Sequence, residues 1–448
     1  MKKDLTQGSI TKTMLLFAGP MILGNLLQQC YNIADTLIVG RVLGANALAA
    51  VGSAYTLMTF LTSVIIGLCM GSGAVFSVYF GKREYGQMKS RMVLSFLFIA
   101  AVTILMSVSV FAGIHGILRL MQVPEDIFDL MADYVWIIFF GIFFVFLYNY
   151  FAYLLRAVGN SVIPLVFLGI STALNIVMDV WFVVFLQLGV KGAAFATVLS
   201  QIFSGIGIGI YTWLLEKDLR PCKEEFSFEK QAAFDVIRNS FAACIQQSVM
   251  NFGILMIQGL VNSFGTVVMA AFAAAVKIDS FAYMPAQEFG NAFSLFISQN
   301  HGAGKEERVK RGMREAVRVS VLFCLFVSAV IFILAPQLMK IFIDGSELQI
   351  IGTGVQYLRT EGAFYCGIGL LFLLYGFYRG VEKPEMSLVL TVISLGTRVL
   401  LAYTLAPLPS IGVSGIWWAI PIGWFLADIT GIMCIRKVSG YVFFWSSN

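Results

Sequence analysis

Polar side chains recur at helical spacing inside an apolar stretch near the start of the sequence. Asn25, Gln28, Asn32 and Asp35 are three or four residues apart, so they share one face of a helix. A charged side chain in lipid costs about 2.5–3.5 kcal/mol on insertion scales, so such a face must point at protein or water. The spacing therefore predicts a polar interior surface that contains one carboxylate.

A second set of polar residues lies in two later apolar stretches. Asn175 and Asp179 are four residues apart, and so are Thr197 and Gln201. No basic residue lies in the stretches that hold these residues and Asp35, so two acids that meet there favour a bound H⁺ or metal cation. Asn175 and Thr197 would add the neutral oxygens that a hard cation such as Na⁺ prefers. The alternative is a set of structural hydrogen bonds or ion pairs that hold the helices together.

Other chemistry has little support in the sequence. The seven cysteines include no CxxC motif, and the two histidines are isolated, which argues against a zinc site. The string from Gly302 to Lys305 resembles the end of a phosphate-binding loop, but Glu306 replaces the required Ser or Thr. We expect no cofactor other than a coupling ion, and no enzymatic activity.

The composition is that of a membrane protein. Of 448 residues, 59% are hydrophobic and only 12% are charged, against about 45–50% and about 25% in soluble domains. A soluble enzyme and a nucleic-acid binder are disfavoured. Apolar runs predict an all-α integral membrane protein with twelve transmembrane helices. Their limits are 13–39, 46–80, 92–114, 131–155, 161–187, 192–215, 236–262, 266–298, 317–335, 352–377, 385–406 and 411–434.

Basic residues predict the orientation. Most of the 30 Lys and Arg residues fall in alternate loops that would face the cytoplasm if the N-terminus is inside. The opposite loops hold only Arg41, Arg119, Lys191 and Lys340. We expect a multi-pass protein of the cell (inner) membrane with both termini cytoplasmic.

The chain also matches itself at an offset of about 221 to 223 residues. Gly189-Val-Lys-Gly192 recurs as Gly412-Val-Ser-Gly415, and Arg156-Ala-Val recurs as Arg379-Gly-Val. The repeat predicts two pseudo-symmetric six-helix lobes, 1–215 and 236–448, joined by a cytoplasmic linker at 216–235, with a short tail at the end. Transporters commonly bind their substrates between or within such halves.

Polar residues in both halves could line a substrate cavity. The candidates are Asn25, Gln28, Asn32, Gln201, Gln247, Asn251 and Glu288. The acid pair itself is not repeated, because Arg398 and Ala402 stand where the first half has Asn175 and Asp179. The roles of Lys277, Asp279, Glu361 and Arg398 stay open, and Glu361 could pair with Arg359 or Arg398.

Several segments resemble signatures of the multidrug and toxic compound extrusion (MATE) family. They are PMILGNLLQQCYNIADTLIVGRVLG (20–44), LRAVGN (155–160), LNIVMDVWFV (174–183), GVKGAAFATVLSQ (189–201) and SQNHGAGK (298–305). The resemblance covers nearly the whole chain. It is nearer the DNA-damage-inducible-F branch, because the seventh helix lacks the acid of one sodium-coupled branch.

The resemblance implies a V-shaped pair of six-helix lobes and ion-coupled efflux of amphipathic, often cationic, organic molecules. The cation site of prokaryotic members falls on Asp35, Tyr134, Asn175, Asp179 and Thr197, and the bending proline of the first helix falls on Pro20. We therefore expect an antiporter driven by H⁺ or Na⁺, with small organic substrates, a lipid bilayer as its surroundings, no nucleic-acid partner and a monomeric state.

Three other functions stay open from sequence. A flippase for a lipid-linked saccharide is the first alternative, and it predicts a cavity rich in Lys and Arg, whereas only Lys277 and Arg398 lie clearly within spans. A passive channel needs a repeated filter, and a membrane enzyme needs a nucleophile and base, and neither pattern is visible.

Overall fold

A computed structural model describes residues 4–121, 123–221 and 229–439. These residues form helices joined by short turns, as expected where backbone groups must bond within their own segment because lipid offers no partners. The helices are α1 (Ile10–Leu43), α2 (Ala45–Lys82), α3 (Tyr85–Leu120), α4 (Glu125–Ala157), α5 (Val162–Asp179), α6 (Gly189–Leu215), α7 (Lys230–Asn262), α8 (Thr266–Gly302), α9 (Glu306–Met339), α10 (Leu348–Gly362), α11 (Tyr365–Gly380), α12 (Pro384–Leu405) and α13 (Ser414–Ser439).

The helix content confirms the predicted all-α membrane fold. Within the described ranges, 11 helices are long and apolar enough to cross a membrane, or 12 if α10 and α11 form one span. These two helices meet at an angle of 52°. The sequence predicted one continuous helix over 352–377, and the structure instead breaks it after Gly362.

The chain divides into two compact units. Unit 1 holds the described residues of Gly19–Cys244 together with Asp4, and unit 2 holds Leu5–Ala18 and the described residues from Ile245 onward. The start of α1 thus belongs to unit 2, and the start of α7 belongs to unit 1. In each repeat, the first part of the first helix (α1 or α7) packs in the unit that contains the rest of the other repeat.

The predicted lobes 1–215 and 236–448 differ from these units in that respect, and as a division they stay a prediction. The physical reason for the difference is close packing between α2 and the first part of α7 in unit 1. A side chain at Gly67 or Gly71 would collide with the backbone of α7 at Cys244 or Asn239. Residues 222–228 of the predicted linker 216–235 lie outside the described residues, as does the tail after Ser439.

Unit 1 is built around α4, which packs against α2, α3 and α6, while α5 packs on α6. Glycines make this possible, because a Cβ at Gly205 would meet the carbonyl oxygen of Phe144. Unit 2 has a related arrangement around α11, which packs against α8, α9, α12 and α13. In the interior of unit 1, residues of α1, α4, α5 and α6 lie close together and form the site described below.

The N-terminal segment is held in unit 2 by the end of α8 and the start of α9. Gln299 accepts a hydrogen bond from the backbone N–H of Leu5 at 3.1 Å. Arg308 donates to the backbone oxygens of Gln7 at 2.6 Å and Gly8 at 2.7 Å. The segment before α1 is therefore bonded to residues almost 300 positions away in the chain.

Candidate functional site

Four helices of unit 1 bring the predicted cation-site residues together. Asp35 comes from α1, Tyr134 from α4, Asn175 and Asp179 from α5, and Thr197 from α6. All five side chains are buried, and Asp179 is 0% and Asp35 8% exposed. Carboxylates buried to this degree are normally paired with a base or a cation, so their surroundings decide what they can do.

The two acids face each other. The carboxyl groups of Asp35 and Asp179 lie within hydrogen-bonding reach of one another. No ion pair among the described residues involves either acid. Asp35 Oδ1 and both carboxyl oxygens of Asp179 are buried without a donor in the described part of the chain. Ionised carboxylates offer only acceptors, so the pair needs a proton or another cation between its oxygens.

Thr197 connects the neutral members of the site. Its hydroxyl oxygen accepts a hydrogen bond from Asn175 Nδ2 at 3.4 Å. It also lies 3.2 Å from the hydroxyl of Tyr31 on α1. The remaining amide oxygen, Asn175 Oδ1, is buried without a donor among the described residues. The site therefore presents carboxyl, amide and hydroxyl oxygens, which suits a proton or a small hard cation.

Sequence reasoning missed Tyr31. This residue lies beside both carboxylates and bonds to Thr197. The signal was present, because Tyr31 precedes Asp35 by four residues and so shares its helix face. Tyr134 also lies beside Asp35, Asp179 and Tyr31, as the predicted site requires.

Asp179 occupies a special position in its helix. The α-helical part of α5 ends at this residue, and Val180–Phe185 continue as a π-helix. Such π-helical turns are rare and occur frequently at functional sites. No pattern in the sequence indicated this change of helix type. It marks the point where α5 presents its carboxylate to α1.

The described residues do not form a transition-metal site. Among the described residues, no group of three or more His, Cys, Asp and Glu side chains is placed to hold a metal ion. The two carboxylates with neutral oxygens around them match a monovalent ion or a proton better than zinc.

The predicted substrate residues of unit 1 have different surroundings. Asn32 donates to the hydroxyl of Tyr55 at 3.2 Å. Gln28 is exposed, and Asn25 is partly buried. Gln201 lies against Gly141 of α4, with its side-chain oxygen buried and without a donor in the described part. These residues remain available as a polar wall, and their role stays a prediction.

In unit 2, Gln247 lines a small polar cavity of about 20 Å³, which is room for about one water molecule. The other lining residues are Gln246, Met250, Gln287, Asn291, Phe372, Tyr375 and Arg379. Asn291 accepts from Arg379 at 3.0 Å and donates to Glu288 at 3.3 Å. Asn251, one turn further along α7, is not among the lining residues.

Pro20 lies inside α1, which is continuous through it. The boundary between the two units falls just before it, between Ala18 and Gly19. Proline removes one backbone hydrogen bond of a helix and is a common cause of bends. Bending at Pro20 stays a prediction.

Comparison with known proteins agrees with this fold. The sequence model of the family described as MatE matches residues 20–181 and 241–404. The chain is 32% identical over 403 residues to the probable multidrug resistance protein YpnP of Bacillus subtilis (strain 168), with 87% of each chain covered. The chain belongs to the MATE family. It is a multi-pass membrane protein of a multidrug efflux transporter family, and its assignment to one branch stays a prediction.

Two solved structures share the fold. They are described as MATE in the straight conformation and MATE in the bent conformation. Each superposes with a TM-score of 0.90 and covers 98% of this chain and 98% of its own, at 23% and 24% identity. At this level of identity the likeness concerns the fold.

Proposed function

We propose that the protein is a secondary active antiporter that exports amphipathic, often cationic, organic compounds in exchange for H⁺ or Na⁺. The carboxyl pair of Asp35 and Asp179 would bind the coupling ion. The observation that carries this proposal is the contact between two buried carboxyl groups without a basic partner in the described residues.

Electrostatics explains why this pair would bind and release an ion. Two like charges about 4 Å apart repel by about 4 kcal/mol at an effective dielectric constant of about 20. A proton or Na⁺ between Asp35 and Asp179 removes that repulsion and supplies the missing partner of their oxygens. If Na⁺ is the ion, Asn175 Oδ1 and the hydroxyl of Thr197 complete its oxygen ligands.

The ion would act through α1. Neutralising Asp35 changes how strongly α1 is held to α5, and Pro20 gives α1 a point at which it can bend. A second conformation of the N-terminal lobe would then have a narrower cavity and a weaker grip on its substrate. Two solved structures with this fold, described as MATE in the straight conformation and MATE in the bent conformation, support the existence of two conformations.

The membrane supplies energy for the cycle. One charge that crosses 100 mV supplies about 2.3 kcal/mol, enough to bias the exchange of ion and substrate. The proposal places the protein in the cell (inner) membrane as a monomer with both termini cytoplasmic. The distribution of Lys and Arg over alternate loops supports this orientation.

The test is transport in proteoliposomes with ethidium as the organic cation. A pH gradient and a sodium gradient are imposed separately, and the wild-type protein should move ethidium against its gradient with at least one of them. Asp35→Asn and Asp179→Asn should each abolish this movement. The matched control is Asp133→Asn on α4, whose exposed carboxylate pairs with Lys191 at 3.1 Å.

Three results would contradict the proposal. Full gradient-driven efflux by both site variants would exclude the carboxyl pair as the coupling site. Uncoupled ethidium flux, equal with and without gradients, would indicate a channel. Translocation of a lipid-linked saccharide without any ethidium movement would favour the flippase alternative.

A further inference from the structure

The bend between α10 and α11 belongs to unit 2 alone. The repeat offset of about 221 to 223 residues relates this helix pair to α4 of unit 1, which is one unbroken helix from Glu125 to Ala157. The two parts of the bent pair meet at 52°. A bend in one copy of a repeat and not in the other calls for a local cause.

Asp279 of α8 contacts both sides of this bend. Tyr365, the first residue of α11, donates to Asp279 Oδ1 at 2.6 Å. Tyr357 of α10 donates to Asp279 Oδ2 at 3.5 Å. Glu361, in the last turn of α10, places its carboxyl group within hydrogen-bonding reach of the same carboxylate. One acid therefore joins the end of one helix to the start of the next.

This cluster is buried, and its two acids share a single nearby base, Arg398, among the described residues. Glu361 is 2% and Asp279 5% exposed. The rings of Phe272 and Trp417 pack on Tyr357 and cover it. Glu361 Oε2 is buried and has no donor among the described residues.

The charged and titratable groups around the cluster do not neutralise both acids. Arg398 of α12 is the cation near Asp279 and Glu361, and it forms no ion pair with either among the described residues. Tyr283 of α8 also lies beside the pair. Arg359, the other candidate partner of Glu361, is exposed and donates to the backbone of Phe332.

We propose that Asp279 and Glu361 hold one proton between them, and that this proton fixes the bend between α10 and α11. With the proton, Glu361 donates to Asp279, so the contact holds the end of α10 against α8. Without it, two carboxylates face each other across that contact and push α10 away. Arg398 lies near both acids but carries one positive charge, which cannot offset two carboxylates.

This site is separate from the pair in unit 1. The repeat places Asp279 opposite residues 56–58 and Glu361 opposite residues 138–140, and none of these six residues is charged. Unit 2 would thus carry a second proton-dependent element, on different helices from those that hold Asp35 and Asp179.

The test uses infrared spectroscopy of the purified protein in the Asp35→Asn, Asp179→Asn background, which removes the carboxyl pair of unit 1. Ordinary carboxyl groups are mostly charged above about pH 5. Between about pH 5 and about pH 9, the infrared spectrum should still contain the carbonyl band of a protonated carboxyl group, and this band should fade as the pH rises. Adding Glu361→Gln or Asp279→Asn should remove one pH-dependent component of this band. Asp428→Asn, which alters another buried carboxyl group of unit 2, should leave this pH-dependent component in place.

A second measurement keeps the proposal testable if a variant fails to fold. At high pH, hydrogen exchange of the backbone around 362–365 should be faster in the background protein than in its Glu361→Gln form. The side-chain amide introduced by Glu361→Gln can still donate a hydrogen bond to Asp279, whereas a charged Glu361 cannot. Absence of the protonated band at every pH, or a band unchanged by both substitutions, would overturn the proposal. Since the background lacks the pair of unit 1, this outcome is independent of the proposed coupling site.

Discussion

Thr197 offers the sharpest test of the site in unit 1, because one hydroxyl serves two neighbours. Its oxygen accepts from Asn175 at 3.4 Å and lies 3.2 Å from the hydroxyl of Tyr31. Thr197→Val keeps the shape of the side chain and removes this oxygen. Thr197→Ser keeps the oxygen and removes only a methyl group. The two variants therefore separate hydrogen bonding from packing.

The expected magnitudes follow from what each variant leaves unpaired. In Thr197→Val the amide of Asn175 loses its acceptor in a buried place, which costs about 1–3 kcal/mol of the free energy of unfolding. Tyr31→Phe removes one hydroxyl of the Tyr31–Thr197 hydrogen bond, whichever of the two donates, so it should cost about 0.5–1.5 kcal/mol. Thr197→Ser should stay close to wild type.

The assay is equilibrium unfolding in detergent micelles, followed by transport in proteoliposomes. Thr212→Val is the matched control on the same helix, because among the described residues the hydroxyl of Thr212 bonds only to the backbone of Ile208, at 2.8 Å. It should cost less than Thr197→Val and leave the half-saturating concentration of the driving cation unchanged, whereas Thr197→Val should raise that concentration. Equal behaviour of Thr197→Val and wild type, or equal loss in Thr197→Ser and Thr197→Val, would refute the reasoning.

Two further predictions concern packing in unit 1. Asp235→Asn should lower the free energy of unfolding by about 3 kcal/mol, because Arg91, which is almost fully buried, would lose its ion-pair partner at 3.2 Å. Asp133→Asn breaks an exposed ion pair, so in the same unfolding assay it should cost less than about 1 kcal/mol. Equal losses would contradict the role of burial. Gly71→Ala should cost about 1–3 kcal/mol by forcing α2 away from α7, whereas Gly52→Ala, with open space around it, should be neutral or stabilising. If Gly71→Ala leaves the unfolding transition unchanged, the contact between α2 and the backbone of Asn239 can relax, which would contradict this prediction.

The helices and the unit 1 site could be predicted because both depend on local patterns. Apolar runs give the spans, and spacings of three and four residues put Asp35 and Asp179 on helix faces that must avoid lipid. The absence of basic residues in those stretches is also a property of the sequence. The contact between the two acids needed the fold, because α1 and α5 are separated by more than 100 residues.

Features that depend on contacts between distant residues could not be predicted. The two residues between α10 and α11, Ala363 and Phe364, are apolar and give no sign of a break, and the acid beside that break lies on α8, about 80 residues earlier. The π-helical turn after Asp179 likewise leaves no mark in the composition. The division within α1 and α7 follows from close contacts such as Gly71 with Asn239, which no helical periodicity reveals.

The placement of Leu5–Ala18 in unit 2 has a consequence for how the protein is made. The partners of this segment on α8 and α9 are synthesised about 290 residues later, which takes about 15–60 s at 5–20 residues per second. During that time the nascent segment sits at the membrane without its final neighbours. If synthesis stopped before α9, the segment Leu5–Ala18 would lack its partners on α9, and we expect it to be more accessible to proteases than in the complete protein.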